Sequence, residues 1–241
     1  MEGSEFTHVP VLPEETVRVF SEMSPPMRRL IDCTIGSGGH SGLLLKRLPD
    51  LEVLGIDRDE EALQRARNHL SFAGERVHLR KGAFSNLREF AGEENWESVD
   101  GILMDIGVSS PQIDDPKRGF SFRHDGPLDM RMDRSSPLSA ARVVNNYSEE
   151  NLRTLFRNYG ELEGHDAARL AKAIVEERAR KPFSRTSELA GICETVLRNR
   201  KRKGGPPAPT LCFQALRIEV NGELTELKPV LESAPGLLGP G

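Results

Sequence analysis

The chain has 241 residues, of which 37% are hydrophobic and 29% charged, a composition that suits one substantial core with a smaller subdomain. No window comes near the roughly 18 uninterrupted apolar residues that a membrane-spanning helix needs. The N-terminal residues show no targeting pattern. These features predict a cytoplasmic protein without a membrane partner, and the net charge of −4 by itself argues against a nucleic-acid partner.

The charge is distributed unevenly along the chain. Residues 178–203 hold nine Lys or Arg and two Glu, a local charge of +7, so the remainder of the chain carries −11. A solvated helix face that ends in a flexible basic loop accounts for this segment as readily as a nucleic-acid contact does. The basic segment alone therefore does not decide between the two.

Strand and helix signals alternate over the first hundred residues. Apolar runs with little alternation predict four strands, and helical patterns separate them. Asp59 is placed as the N-cap of the second helix. Crossovers of this length predict a parallel sheet with both faces covered, and hence an α/β fold. The predicted strands lie in 29–36, 51–57, 76–84 and 99–107, and the first two helices in 42–48 and 59–70.

The second half of the chain has a different character. Residues 108–147 read as a loop rich in Ser, Pro, Asp and Arg, and 203–209 as a second loop. Apolar residues then recur at helical spacing after the cap candidate Ser148 and again up to residue 197. A last helix over 213–234 is expected to break or bend near Asn221. The sequence thus predicts an α/β half followed by a helical insertion.

The three cysteines, Cys33, Cys193 and Cys212, are widely spaced and odd in number. They fit neither a disulfide framework nor a zinc site. We expect buried free thiols and no metal centre.

A glycine-rich segment, GSGGH at 36–40, follows the first predicted strand. Gly36 and Gly38 fit a dinucleotide fingerprint, but its third position is occupied by Ser41. Asp57 lies 21 residues after Gly36, where a carboxylate can bind both hydroxyls of a ribose. NAD enzymes and S-adenosylmethionine (SAM) methyltransferases share that acid, and a simple tight turn explains the glycines equally. The loop alone leaves all three alternatives open.

The position of Asp105 favours the methyltransferase among these alternatives. It ends the fourth predicted strand, beside the crevice where ligands of parallel sheets bind. Amino-group methyltransferases place a short loop led by an acid or Asn there, although Asp105 could also cap the next segment. The polar stretch 109–133 that follows is long enough to be functional, and its Phe and Met residues argue against disorder.

Six segments together closely resemble the bacterial small-subunit rRNA cytosine-N4 methyltransferases, the MraW family. The resemblance covers nearly the whole chain, and the block at 105–133 is its most specific part. In chain order the segments are THVPVLPEETV (7–17), GSGGHS (36–41), GIDRD (55–59), DIGVSSPQIDDPKRGFSFRHDGPLDMRMD (105–133), AKAIVEER (171–178) and FQALRIEVNGEL (213–224).

The resemblance implies a class I SAM-dependent methyltransferase: a Rossmann-like parallel sheet with an inserted helical substrate domain. It implies transfer of a methyl group from SAM to the exocyclic N4 of a cytidine near the decoding centre, on free small-subunit rRNA or the assembled subunit. It also implies three divisions of the chain: 1–112 as the first part of the SAM-binding domain, 113–209 as the RNA-substrate insertion and 210–241 as the return helix. The basic segment would then contact RNA backbone.

The resemblance also assigns the site. The residues that would contact SAM are Gly38, Gly39 and His40 at the methionine and ribose, Asp57 at the ribose hydroxyls, Phe84 at the adenine, and Asp105 and Gln112 completing the pocket. Asp105 is the predicted catalytic residue, because a weakly nucleophilic amine needs a group that orients it and accepts its hydrogen bonds. Phe120 or Phe122 could stack on an extruded base, or could pack the loop against the core.

The chain departs from the family pattern at 159–174, at 208–214 and after SAPGLLGPG, where the family continues into its fifth strand. Two functional hypotheses follow: an active rRNA methyltransferase, and a SAM- and RNA-binding relative whose catalysis is impaired. A fourth strand left at the sheet edge would favour self-association, so a homodimer is a further expectation. An organellar relative that has lost its presequence stays open beside a bacterial protein.

Overall fold

A computed structural model describes residues 10–198 and 206–239. The chain forms two compact units. The first runs to Gly107 and resumes at Leu224, and the second comprises Val108–Glu223. We call them the sheet unit and the helical unit.

The sheet unit is built on four parallel strands in the order β3-β2-β1-β4. Ile31 in the central strand β1 pairs with Leu54 on one side and with Ile102 on the other. The four predicted strands and their parallel arrangement are confirmed, although each is shorter than its apolar run. The strands are β1 (Arg29–Asp32), β2 (Glu52–Asp57), β3 (Val77–Lys81) and β4 (Gly101–Leu103).

The two faces of this sheet are both buried, and neighbouring residues point to opposite faces. Leu30 and Val53 join one core cluster, whereas Ile31 and Leu54 join another. Side chains on both faces of the sheet have no exposed surface. This explains why the strands read as continuous apolar runs rather than alternating ones.

Helices cover the sheet. Asp59 caps α3, since its carboxylate accepts a hydrogen bond of 3.0 Å from the backbone N–H of Glu61, as predicted. The helices of the sheet unit are α1 (Pro13–Ser21), α2 (Gly39–Arg47), α3 (Glu60–His69), α4 (Leu87–Glu93) and α11 (Glu223–Ser233).

Just before β4, Val99 forms an isolated parallel bridge with Leu238. Val99 donates to the carbonyl of Leu237 at 2.9 Å and accepts from Gly239 at 3.0 Å. The strand order makes β4 an edge strand of the sheet within the described residues.

The helical unit packs around Phe156, which is fully buried with Leu170 and Leu216. Ser148 caps α7 by accepting from the N–H of Asn151 at 3.1 Å, which confirms the predicted cap. The helices of this unit are α5 (Ser110–Asp114), α6 (Ala140–Asn146), α7 (Glu149–Tyr159), α8 (Gly164–Arg178), α9 (Thr186–Val196) and α10 (Ala208–Asn221).

The structure differs from the sequence prediction in two loops. The stretch 108–147 contains α5 and α6, and α10 begins at Ala208, inside the predicted loop 203–209. Pro207 and Pro209 explain the second difference, because proline fits the first turn of a helix, where a backbone N–H has no partner. The predicted interruption near Asn221 is confirmed at Gly222, which has a φ of 61°.

The division into units has its boundaries after Gly107 and Glu223, whereas the family resemblance implies boundaries after 112 and 209. Helix α10 is continuous from Ala208 to Asn221 and packs against α7, so the whole of it belongs to the helical unit. No helix within 10–198 and 206–239 has the length and apolar character needed to cross a membrane. All three cysteines are buried free thiols, as predicted.

Candidate functional site

Four chain segments with candidate site residues meet at one edge of the sheet unit. Because all four strands are parallel, their carboxyl ends lie at the same edge. The glycine loop follows β1, Asp57 ends β2, Phe84 follows β3 and Asp105 follows β4. The structure brings these predicted residues together.

The glycine loop turns sharply from β1 into α2. Gly36 and Gly38 have φ values of 54° and 84°, the left-handed region that side chains rarely adopt. A Cβ on Gly38 would lie 2.9 Å from the side chain of Leu70. Ser37 accepts a hydrogen bond of 3.3 Å from Nε of Arg65. The loop is therefore fixed in shape and leaves its backbone close to the sheet edge.

Asp57 is tied to the same loop. Its Oδ2 accepts from the N–H of Gly36 at 3.0 Å and its Oδ1 from that of Asp59 at 2.9 Å. Burial raises the pKa of Asp57 to about 6, because desolvation disfavours the charged carboxylate. Each oxygen retains a lone pair, so the carboxylate can still accept hydrogen bonds from two vicinal hydroxyls.

Asp32, at the end of β1, belongs to the site and was missed by the sequence reasoning. Its side chain is 2% exposed, and it accepts hydrogen bonds from the Ser41 hydroxyl at 2.6 Å and the Thr34 N–H at 3.2 Å. Burial raises the pKa of Asp32. The signal in the sequence was an acid at the end of the first strand, just before the glycine loop.

Ser41 thus has a role that the third glycine of a dinucleotide fingerprint cannot fill. Its hydroxyl satisfies a buried carboxylate, which glycine would leave without that partner. The residue that makes the glycine motif incomplete therefore joins α2 to the end of β1.

His40 lies in the first turn of α2 and is 9% exposed. Its Nε2 lies 2.7 Å from the carbonyl oxygen of Val11. Because a carbonyl only accepts, Nε2 carries the proton of this hydrogen bond. The imidazole therefore ties the N-terminal segment to the glycine loop.

Phe84 lies three residues after the end of β3 and is 8% exposed. It packs in the core cluster that contains Ile31, Ile56 and Val230. Its place at the adenine of SAM stays a prediction.

Asp105 is exposed, whereas its backbone is held in place. Its N–H donates a hydrogen bond of 2.7 Å to Oγ1 of Thr34, which follows β1. An exposed carboxylate on an anchored backbone can meet a substrate at this edge.

The four segments fit SAM better than a dinucleotide. The predicted assignment, which stays a prediction, gives the methionine part and the ribose to the loop backbone and Asp57, and the adenine to Phe84. SAM has no pyrophosphate, so its binding does not need the third glycine of a pyrophosphate-binding loop.

Gln112 lies in the helical unit. Its Oε1 accepts a hydrogen bond of 3.0 Å from the N–H of Ser109, and the side chain is buried. Its place in the cofactor pocket stays a prediction.

Arg118 and Asn221 order the long polar stretch of the helical unit. The guanidinium of Arg118 donates to the carbonyls of Arg131 and Met132 at 3.0 and 3.1 Å. Asn221 accepts from the N–H of Met132 at 2.8 Å and donates to the carbonyl of Met130 at 2.9 Å. The stretch is therefore built around two buried polar side chains that sequence periodicity does not reveal.

Both Phe120 and Phe122 pack against the core of the helical unit. The ring of Phe122 meets Phe213 edge to face, with 5.2 Å between centroids. This contact favours the packing alternative for Phe122.

Several cations of the basic segment have acidic partners. Arg180 lies 3.2 Å from Glu177, Lys181 2.5 Å from Glu188 and Arg185 2.6 Å from Asp125. The cluster Arg200, Lys201, Arg202 and Lys203 lies outside the described residues. Within the described ranges, no group of three His, Cys, Asp or Glu residues could hold a metal ion.

Comparison with known proteins assigns the family. The model of the MraW methylase family matches residues 5–241. A ribosomal RNA small subunit methyltransferase H from Carboxydothermus hydrogenoformans is 45% identical over 237 residues, covering 98% of this chain and 74% of the relative.

Two further relatives carry the same name. The protein from Symbiobacterium thermophilum is 43% identical, with 98% of this chain and 73% of the relative covered. That from Helicobacter pylori strain P12 is 42% identical, with 99% and 75% covered. This chain therefore belongs to the MraW methylase family and is a methyltransferase whose methyl donor is SAM.

Proposed function

We propose that this protein methylates the exocyclic N4 of a cytidine in small-subunit rRNA, near the decoding site. The observation that carries the proposal is the exposed side chain of Asp105 at the carboxyl end of β4, on a backbone whose N–H donates to Oγ1 of Thr34 beside the glycine loop. The names of the family relatives support rRNA as the substrate.

The cofactor would be held by residues of the sheet unit. Asp57 accepts hydrogen bonds from the ribose hydroxyls, Phe84 borders the adenine, and Gly38, Gly39 and His40 lie at the methionine and ribose. When bound, SAM would supply a methyl group on a positively charged sulfur, and a nucleophile that bonds to this methyl carbon would release the sulfur as a neutral thioether. The raised pKa of Asp57 does not prevent this role, since the carboxyl is mostly ionised at pH 7.

Cytosine N4 is a poor nucleophile because its lone pair is delocalised into the ring. Asp105 would accept a hydrogen bond from the amine and hold it in line for attack. As the N–C bond forms, the amine loses a proton, and Asp105 is the group placed to accept it. Orientation and proton acceptance by one carboxylate are the chemistry that this reaction requires of the protein.

The helical unit would bind the RNA. Its basic segment can neutralise phosphates, while Phe120 is the remaining candidate to stack on an extruded base. The substrate would be either free small-subunit rRNA or the assembled subunit. A homodimer and a cytoplasmic location also belong to this proposal.

Methyl transfer from labelled SAM tests the proposal. Small-subunit RNA that lacks the modification is incubated with the protein, digested to nucleosides and separated. We expect the label in N4-methylated cytidine. Label in another nucleoside would overturn the assigned specificity, and no label with any small-subunit RNA or subunit would overturn the activity.

A further inference from the structure

Helix α11 returns to the sheet unit and packs beside the cofactor-binding edge. Val230 of this helix has no exposed surface and shares a core cluster with Ile56 and Phe84. Leu227 packs against the same cluster. This apolar anchoring fixes the position of Glu226, which precedes Leu227 in the helix.

The carboxylate of Glu226 has two partners, one in the segment after β2 and one in the segment after β3. Its Oε1 lies 3.5 Å from Nη2 of Arg58, and its Oε2 accepts a hydrogen bond from the hydroxyl of Ser85. Arg58 directly follows Asp57, and Ser85 directly follows Phe84. One side chain therefore touches the neighbours of both residues that would hold the nucleoside part of SAM.

The ends of β2 and β3 are otherwise joined at this edge by a backbone hydrogen bond of 3.0 Å, from Gly82 to the carbonyl of Asp57. The contacts of Glu226 lie further along, where the chain leaves both strands. They restrain the two turns in which the carboxylate of Asp57 and the ring of Phe84 are oriented.

We propose that Glu226 is a positioning residue for the nucleoside half of SAM. It acts through Arg58 and Ser85 on Asp57 and Phe84, and so sets the affinity for the cofactor. The inference rests on the proposed function, in which Asp57 binds the ribose and Phe84 the adenine. An ion pair with a purely structural role would leave the SAM affinity unchanged. Its loss would also change stability little, because partly exposed pairs contribute little to stability, and the side chains of Arg58 and Glu226 are 19% and 27% exposed.

Calorimetric titration of the full chain with SAM tests this inference. Glu226→Gln keeps an acceptor but removes the charge, and we expect it to raise the Kd for SAM about 5-fold, within the range of one charge-assisted hydrogen bond. Ser85→Ala should raise the Kd comparably. The effect of the double variant on the free energy of SAM binding should be smaller than the sum of the two single effects, because both changes break the same connection.

The matched control is Glu232→Gln in the same helix. Glu232 pairs only at the surface with Lys228, at 3.9 Å, and both side chains are largely exposed. We expect its Kd for SAM to stay within about twofold of the unaltered protein, as is usual for exposed pairs.

Steady-state kinetics separates positioning from general damage. Glu226→Gln should raise the KM for SAM about as much as the Kd, while kcat at saturating SAM falls less than about twofold. A lowered melting temperature with an unchanged Kd would overturn the inference, and so would SAM affinity within twofold of the unaltered protein in both Glu226→Gln and Ser85→Ala. If the unaltered protein itself failed to bind SAM, the proposed function would fail instead.

Discussion

The hydroxyl of Ser41 donates a hydrogen bond of 2.6 Å to Oδ2 of Asp32, and both residues are buried at the carboxyl end of β1. The pair joins the strand to the helix that follows the glycine loop. The loop therefore depends on a polar contact beneath it as well as on its glycines.

Replacing Ser41 with Ala should destabilise the protein. The change leaves one oxygen of a buried carboxyl without its partner, which costs about 1–3 kcal/mol. Urea unfolding measures the loss. Ser21→Ala, which removes an exposed hydroxyl at 3.5 Å from the carbonyl of Arg18, serves as the control and should change stability by less than about 0.5 kcal/mol. Equal stability of the two variants would show that Asp32 does not need Ser41.

Asp57 gives SAM binding a defined pH dependence. Its pKa of about 6 means that the carboxylate is largely protonated at pH 5 and ionised at pH 7. The affinity for SAM should rise about tenfold over this interval, because the ionised form accepts both ribose hydroxyls. Asp57→Ala should weaken binding at pH 7 by about 2–3 kcal/mol and remove the dependence. A flat calorimetric profile for the unaltered protein would contradict the assignment.

The carboxyl of Asp57 should make the free energy of unfolding fall as the pH rises, whereas the affinity for SAM rises. The folded-state pKa of Asp57 lies above the ordinary value of 3.8, so the native state holds the proton more tightly. Its contribution to stability is complete below pH 3.8 and is lost as the pH rises through 6, about 1 kcal/mol of it between pH 5 and pH 7. The free energy of unfolding of Asp57→Asn, measured against the unaltered protein at both pH values, should show this difference. A constant difference would mean that the carboxyl is not desolvated.

The fold of the sheet unit could be predicted because its signals are local. Continuous apolar runs, the cap Asp59 and the spacing of Asp57 from Gly36 are all readable in the sequence. Helices α5 and α6 could not be predicted, because seven residues or fewer offer no clear periodicity. The partners of Asp32, Asn221 and Glu226 were also out of reach. These contacts join residues whose proximity depends on the completed fold.

Asn221 should be essential to the order of the polar stretch. Asn221→Ala leaves the N–H of Met132 and the carbonyl of Met130 without their side-chain partners, at a cost of about 2–4 kcal/mol. The control Asn146→Ala removes an exposed side chain that bonds only to the carbonyl of Arg142 in its own helix. Denaturant unfolding of the two variants compares them. A loss no larger than that of the control would remove Asn221 from this role.

The basic cluster should govern RNA affinity through phosphates. Neutralising Arg200, Lys201, Arg202 and Lys203 should reduce the slope of log affinity against log salt by about 3, at roughly 0.7 per phosphate contact on a single strand. Arg180 and Lys181 are the matched control, because both already pair with glutamates. SAM affinity should stay unchanged in both variants. An unaltered salt slope would leave the cluster as a solvated surface.

Asp105 carries the central claim, and single-turnover methyl transfer with saturating SAM tests it most directly. Asp105→Asn keeps the shape of the side chain but removes its charge and its capacity to accept a proton. The rate of N4-cytidine methylation should fall by at least about 100-fold, while the Kd for SAM changes less than about threefold. Asp50→Asn, at an exposed surface carboxylate, should leave the rate unaltered. Equal losses of rate and SAM affinity in Asp105→Asn, or a rate like that of the control, would contradict the catalytic role of Asp105.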